Sequence, residues 1–360
     1  MNKLIKAALL TAALILASSC YGDPRAEFDT EYSQYVTYTD SQQWQLALES
    51  AEKAYVLGKV IFGEKSINTG NLALNYGRLL NILDLHKEAK PALLAARKIL
   101  ENSSQTERAN LIDVYFELGI ATYDPEHTRP GLAHFRKAVK LSASENDLAR
   151  ARINLSIGLY VAARLDRQGN AEAFLGSAYL TYLDTVGPTD VRTSLASFQL
   201  GRYSLAKRNY KKAKKHLQLS VDAFEENPEN RKLELMARAF IIEALEELGE
   251  SEAATEHCRA IGIKAPLDQT AKYVPLYKKP PIYPAKALRR GQSGWVIVEL
   301  TVDENGFTRD HQIVESSSTV FNSASITAAE TFRYAPRFVN GLAVTTPSVR
   351  NKITFSVGRD

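Results

Sequence analysis

The stretch WVIVELTV-DENG-FTRDHQIVE, Trp295 to Glu315, decides the fold. Over Trp295–Val302, Val296, Val298, Leu300 and Val302 share one face, and Trp295 and Ile297 lie on the other. A period of two is the signature of a half-buried strand. Asp303-Glu304-Asn305-Gly306 is a hairpin turn, with Gly306 free to take positive φ. Phe307–Glu315 is then the returning strand. Downstream, Phe321, Ala324, Ala328 and Phe332 recur at helical spacing within Phe321–Tyr334. Last come Val349, Ile353, Phe355 and Val357, with Arg350, Lys352, Thr354 and Ser356 alternating against them. The order is short helix, β, β, α, β, in a domain spanning 281–358.

Upstream the period changes. From Ser41 to Ile261 the chain reads as helix after helix, and it repeats. Gly77 is followed at fixed offsets by Ala89, Leu93 and Ala96; Gly119 by Gly131, Phe135 and Ala138; Gly201 by Ala213, Leu217 and Ser220. Weaker copies are Tyr35 with Ala47, Ala51 and Ala54; Gly158 with Asn170, Phe174 and Ser177; and Ile241 with Ala253, His257 and Ala260. The unit is about 40 residues. A small residue lets one helix approach another, and the apolar residues that follow form a buried stripe. One hairpin cannot bury both its stripes, so hairpins stack. The basic run from Lys207 to Lys215 reads as a solvated helix face. Before the array, 21–40 reads as an extended segment. After it, 262–280, rich in proline, reads as a linker.

These patterns carry two resemblances. The 41–261 array is similar to tetratricopeptide repeats, in a variant longer than the usual one. The C-terminal residues resemble the C-terminal domain of the TonB family. They are Tyr283-Pro284 with Ala287, Gly294, Val302-Asp303-Glu304-Asn305-Gly306, Val314-Glu315-Ser316-Ser317, Phe321, Ala324, Phe332-Arg333-Tyr334-Ala335-Pro336 and Asn340-Gly341. Ser318 and Phe332 depart from the family's usual Gly and Trp. The resemblance implies an α+β multidomain protein, a helical solenoid followed by a small ββαβ domain. It also implies a mechanism: an extended segment of a partner adds to the last strand, Ser348–Val357. The contacts it implies are Lys279, Pro280 and Pro281, just before Tyr283, and the outward Arg350, Lys352, Thr354 and Ser356. The implied partners are envelope proteins, TonB-dependent outer-membrane receptors among them.

The first twenty residues say where the chain goes. Asn2, Lys3 and Lys6 make a short positive start, and Leu4–Ala17, apolar apart from Lys6 and Thr11, is too short for a comfortable span. Small residues follow, as in a cleaved secretory signal. Ala17-Ser18-Ser19-Cys20 resembles a lipobox in which Cys20 becomes an acylated first residue; cleavage after Ser19 is the other reading. Tyr21 rather than Asp after Cys20 directs such a lipoprotein to the outer membrane. The leading expectation is a periplasm-facing scaffold. The alternative is an energy transducer with residues 4–17 retained as an inner-membrane anchor. The formal net charge of +4 falls by two with Lys3 and Lys6, too little to indicate nucleic acid. The six histidines are scattered, and no nucleophile elbow, P-loop, dinucleotide fingerprint or HExxH motif is present. The sequence therefore predicts a binding protein with no catalytic centre, cofactor or metal.

Overall fold

A computed structural model describes residues 23–164, 166–264 and 273–357. The leader and Cys20 lie outside the described residues. Among the described residues twelve α-helices precede the C-terminal domain: α1 (Pro24–Asp40), α2 (Trp44–Phe62), α3 (Ile67–Ile82), α4 (His86–Glu101), α5 (Arg108–Thr122), α6 (Arg129–Ala143), α7 (Asp147–Ala162), α8 (Asn170–Val186), α9 (Val191–Ala206), α10 (Tyr210–Glu225), α11 (Arg231–Glu247) and α12 (Ser251–Lys264). They pair as successive hairpins. The chain divides into two compact units, one ending at Thr181 and the other beginning at Tyr182.

In the first unit the repeat glycines do what their spacing predicts. A Cβ on Gly77 would sit 2.6 Å from Leu93, and one on Gly119 would sit 2.3 Å from Phe135. Each glycine is the floor onto which the side chain of the next helix drops. Ala47, Ala51 and Ala54 are likewise buried. Polar ties link the first helices of successive hairpins at the repeat spacing. Asn110 donates to Asn71 Oδ1 (3.1 Å), Arg78 Nε to Glu117 Oε1 (3.1 Å) and Tyr160 Oη to the Ile120 carbonyl (3.0 Å). Burial pushes the Glu117 carboxyl upward, against the pull of Asn81 and Arg78.

Three sequence expectations are corrected here. Within the segment 21–40, read as extended, Pro24–Asp40 is helical. Asp23 caps it by accepting from the Arg25 N–H, Pro24 stands in its first turn, and Phe28 packs edge-on against Phe62 at 5.2 Å. Only Phe28 and Glu31 of this helix are buried, so it shows almost no apolar period. The fourth repeat is displaced by one residue. Ala171, Leu175 and Ala178 are fully buried, and Gly158 meets Leu175, not Phe174. The α7–α8 connection is one residue longer, and it is held by Asp166, whose carboxylate accepts from the N–H of Gln168 and of Ala171. In the sixth repeat Ala254, Cys258 and Ile261 take the buried places predicted for Ala253, His257 and Ala260, although His257 is buried too.

In the second unit Gly201 lies under Leu217, and α9–α12 share one apolar core. Beside it, Arg238 donates to Glu234 (2.6 Å) and pairs with Glu225 (2.9 Å), and Lys264 reaches Glu234 (2.6 Å). His257 Nδ1 lies 3.2 Å from Arg238. Burial, with the Arg238 charge, holds the His257 imidazole down at about 4.

The C-terminal domain contains α13 (Ala285–Arg289), β1 (Gly294–Val302), β2 (Thr308–Ser316), α14 (Asn322–Ala329), β3 (Arg337–Val339), β4 (Leu342–Val344) and β5 (Thr346–Phe355). One antiparallel sheet has the order β2-β1-β5, and β3 and β4 form a separate hairpin. Asn340 and Gly341 take φ of 51° and 80° at its tip, as a two-residue turn requires. The turn was legible in the sequence; its two short strands were not. Val296, Val298, Leu300, Val302, Val349, Ile353 and Phe355 face inward against α14, Tyr283 and Phe321. The helix predicted to reach Tyr334 ends at Ala329. Beyond it, the Arg333 backbone pairs with Leu276 and Tyr277 (2.7–3.3 Å). Gly306 has φ 81°, and its carbonyl accepts from the Tyr334 N–H (2.9 Å). A Cβ there would lie 2.1 Å from the Tyr334 oxygen, so only glycine fits.

Candidate interaction edge

β1 is the central strand, so β5 has one neighbour and one open side among the described residues. Its register with β1 is continuous from Val349 opposite Leu300 to Phe355 opposite Gly294. Before that, Ser348 at φ 57° and Pro347 break the strand. The regular stretch is thus Val349–Phe355, shorter than the Ser348–Val357 span expected from the sequence.

Which backbone groups face the open side follows from β1. Trp295 donates its N–H to Ser317 Oγ (2.7 Å), and its carbonyl accepts from the Ser317 N–H (2.9 Å). Both groups therefore point toward β2. Trp295 stands opposite Thr354, so those two residues are a non-hydrogen-bonded pair. The N–H and C=O of Thr354 accordingly point away from β1, into the open side. Strand alternation extends this to Lys352 and Arg350, while Asn351 and Ile353 bond inward to β1. An edge of this kind is a template for another strand.

The side chains named from the sequence fall in two groups. Arg350, Lys352, Thr354 and Ser356 are exposed, the first three on the sheet face turned away from α14. Two of them already have partners across the strand pair. Arg350 Nε donates to Glu299 (2.7 Å), and the Lys352 ammonium lies 4.5 Å from the Trp295 ring centre. Lys279, Pro280 and Pro281 follow Lys278, which reaches the strand from its other face. Lys278 donates to Asn351 Oδ1 (2.9 Å), and Asn351 faces inward toward Tyr334 Oη. The prolines then line an open groove of about 610 Å³ against Val320, Ala324, Thr327 and Ala328 of the α14 region. Arg350, Lys352 and Thr354 thus lie on one face of β5, Lys278 reaches the strand from the other, and Lys279, Pro280 and Pro281 line the groove along α14. Sequence reasoning missed Trp295 and Glu299, although their place opposite Thr354 and Arg350 follows once the register is known.

The opposite edge, β2, is less receptive. Its pairing with β1 slips twice, Asp310 takes φ 54°, and Arg309, Asp310 and Glu315 are exposed. Bulges and charges are the usual means of blocking an edge. Among the described residues no helix is long and apolar enough to cross a membrane.

The architecture is a helical repeat array followed by a small sheet with an open, regular edge. Comparison with known sequences and structures makes this more specific. Residues 279–357 match the family described as Gram-negative bacterial TonB protein C-terminal. No curated protein matches the chain. The tetratricopeptide-repeat signal-transduction ATPase of Pyrococcus horikoshii is similar at 12% identity and TM-score 0.50, over 70% of this chain and 36% of that one. BtubC of P. vanneervenii is similar at 12% identity and TM-score 0.46, over 69% of this chain and 99% of that one. The TonB2 protein of Vibrio anguillarum is similar at 27% identity and TM-score 0.21, over 26% of this chain and 90% of that one. The chain carries a TonB C-terminal domain at 279–357 behind a tetratricopeptide-like solenoid.

Proposed function

We propose that this protein is an exported scaffold of the cell envelope that binds a partner by strand addition along β5. The observation that carries the reading is the open side of Val349–Phe355. There Arg350, Lys352 and Thr354 present three N–H and three C=O groups in register, within a domain of the TonB family. Main-chain hydrogen bonds supply affinity, and the flanking faces tune it. Arg350 and Lys352 meet the partner's side chains on one face, and Lys279, Pro280 and Pro281 meet them on the other. The partners are envelope proteins, outer-membrane receptors included, and the solenoid offers a second surface. The test is Thr354→Pro against Thr354→Ala: loss of binding in the first alone supports strand addition.

Export and anchoring rest on the leader. Cys20 is the acylated residue in this reading, and more than one acyl chain suffices for a stable anchor. Cys20→Ala then moves the protein from the membrane fraction to the soluble periplasm. An unchanged fractionation refutes the lipid anchor.

A further inference from the structure

A solenoid's last hairpin has an apolar face with no following repeat to cover it. Here the C-terminal domain covers it. Tyr277 and Ala335 belong to the same buried cluster as Ala254, Cys258 and Ile261 of α12, and Leu276 packs against it. The polar contacts centre on Arg333, whose side chain is 1% exposed. One end of its guanidinium pairs with Glu246 of α11. The other donates to Thr255 Oγ1 of α12 (2.7 Å) and to the Asn305 carbonyl (3.2 Å). Its flat face lies 3.7 Å from the Phe307 ring centre. Around it, Tyr277 Oη donates to Glu247 (2.6 Å), and Arg259 reaches Asn305 Oδ1 (3.3 Å). Gly262 of α12 lies where a Cβ would be 2.3 Å from the Pro336 carbonyl oxygen. The compact unit that begins at Tyr182 takes in both α9–α12 and the domain.

We infer that the C-terminal domain is the cap of the repeat array, latched to α11–α12 through Arg333, and not a module swinging on a linker. A buried, hydrogen-bonded ion pair adds little net stability against apolar packing, but removing one member leaves an uncompensated charge. It therefore specifies one docking geometry and penalises others. The β5 edge is then held in a fixed relation to the last hairpin, so that load on the edge passes directly into the helices. This does not depend on what β5 binds.

Cys258 reports the latch. Its side chain is fully buried, and a Cβ on Gly306 of the domain would lie 3.5 Å from its own Cβ. Burial pushes its thiol up to about 12, so it is unreactive while the cap is closed. The experiment is the rate of thiol labelling in the full chain carrying Cys20→Ala, with Cys258 the only cysteine left. Cys258 is expected to label only through opening of the cap. Arg333→Met is expected to raise the rate about 100-fold or more while the helical circular dichroism is retained. Tyr277→Phe, which loses one hydrogen bond and keeps the ring, is the milder second variant and should raise it about 3- to 10-fold. Rapid labelling of the parent chain, or rates unchanged in both variants, overturns the inference. Should Arg333→Met unfold the helices, the Tyr277→Phe rate decides alone.

Discussion

Proline at Thr354 separates backbone recognition from every other way of binding this domain. The Thr354 N–H faces the open side, so its loss breaks no bond between β5 and β1. Proline is tolerated on an edge strand for that reason. The Thr354 side chain is exposed, so little packing is lost. An added strand, however, needs that N–H. One net hydrogen bond contributes about 0.5–1.5 kcal/mol, and a partner carbonyl left unpaired costs about 1–3 kcal/mol. A total of about 1.5–4.5 kcal/mol is a fall in affinity of roughly 10- to 2000-fold. Thr354→Ala keeps every main-chain group and should change affinity less than about threefold. Lys352→Glu alters only an exposed charge seated on Trp295 and should shift affinity modestly. The assay is biolayer interferometry with the full chain and a partner captured from envelope extract. Near-ultraviolet circular dichroism first establishes that the variant domain is folded. If Thr354→Ala or Lys352→Glu abolishes binding as completely as proline, side chains and not the edge carry recognition. If proline leaves affinity unchanged, the partner docks elsewhere.

Gly119→Leu places side-chain atoms where a Cβ alone would be 2.3 Å from the Phe135 ring; overpacking of this kind costs about 1–3 kcal/mol, read as a lower urea midpoint. Gly176→Ala is the control, since a Cβ there meets nothing within 4 Å, and it should be neutral or stabilising by up to about 1 kcal/mol. His257 is held neutral at about 4 by burial and by Arg238, with Glu225 opposing and Glu234 and Lys264 close by. Because the unfolded chain binds that proton more readily, the contribution is complete above pH about 6.5. It is lost as pH falls toward 4, by about 3 kcal/mol at most. Denaturation of the His257→Gln variant between pH 7 and 4 should show a shallower loss, and an unchanged pH slope would refute the assignment.

The sequence by itself fixed the period of each region. Glycine at Gly77, Gly119 and Gly201, with a large side chain sixteen residues on, is a local signal because each pair lies within one hairpin. Alternation over Trp295–Val302 likewise determines which side chains of β1 are buried, whatever its neighbours. Tertiary structure decided what depends on distant partners. A connection one residue longer than that of α5–α6 moved the buried stripe from Phe174 to Leu175, and in the sixth repeat, where no glycine marks the crossing, the stripe begins at Ala254 and not Ala253; a helix rotates by about 100° per residue, so one position changes the buried face. α1 exists because Phe28 finds Phe62 in the next helix, since its own sequence has almost no stripe. The outward direction of the Thr354 N–H follows from the pairing of Trp295 with Ser317, two strands away. Arg333 stands in the stretch Phe332–Pro336 that carries the family resemblance, which says nothing of its burial. Its burial is set by Glu246 and Thr255, about 80 residues earlier in the chain, because a charge leaves water only where folding has already assembled its partners.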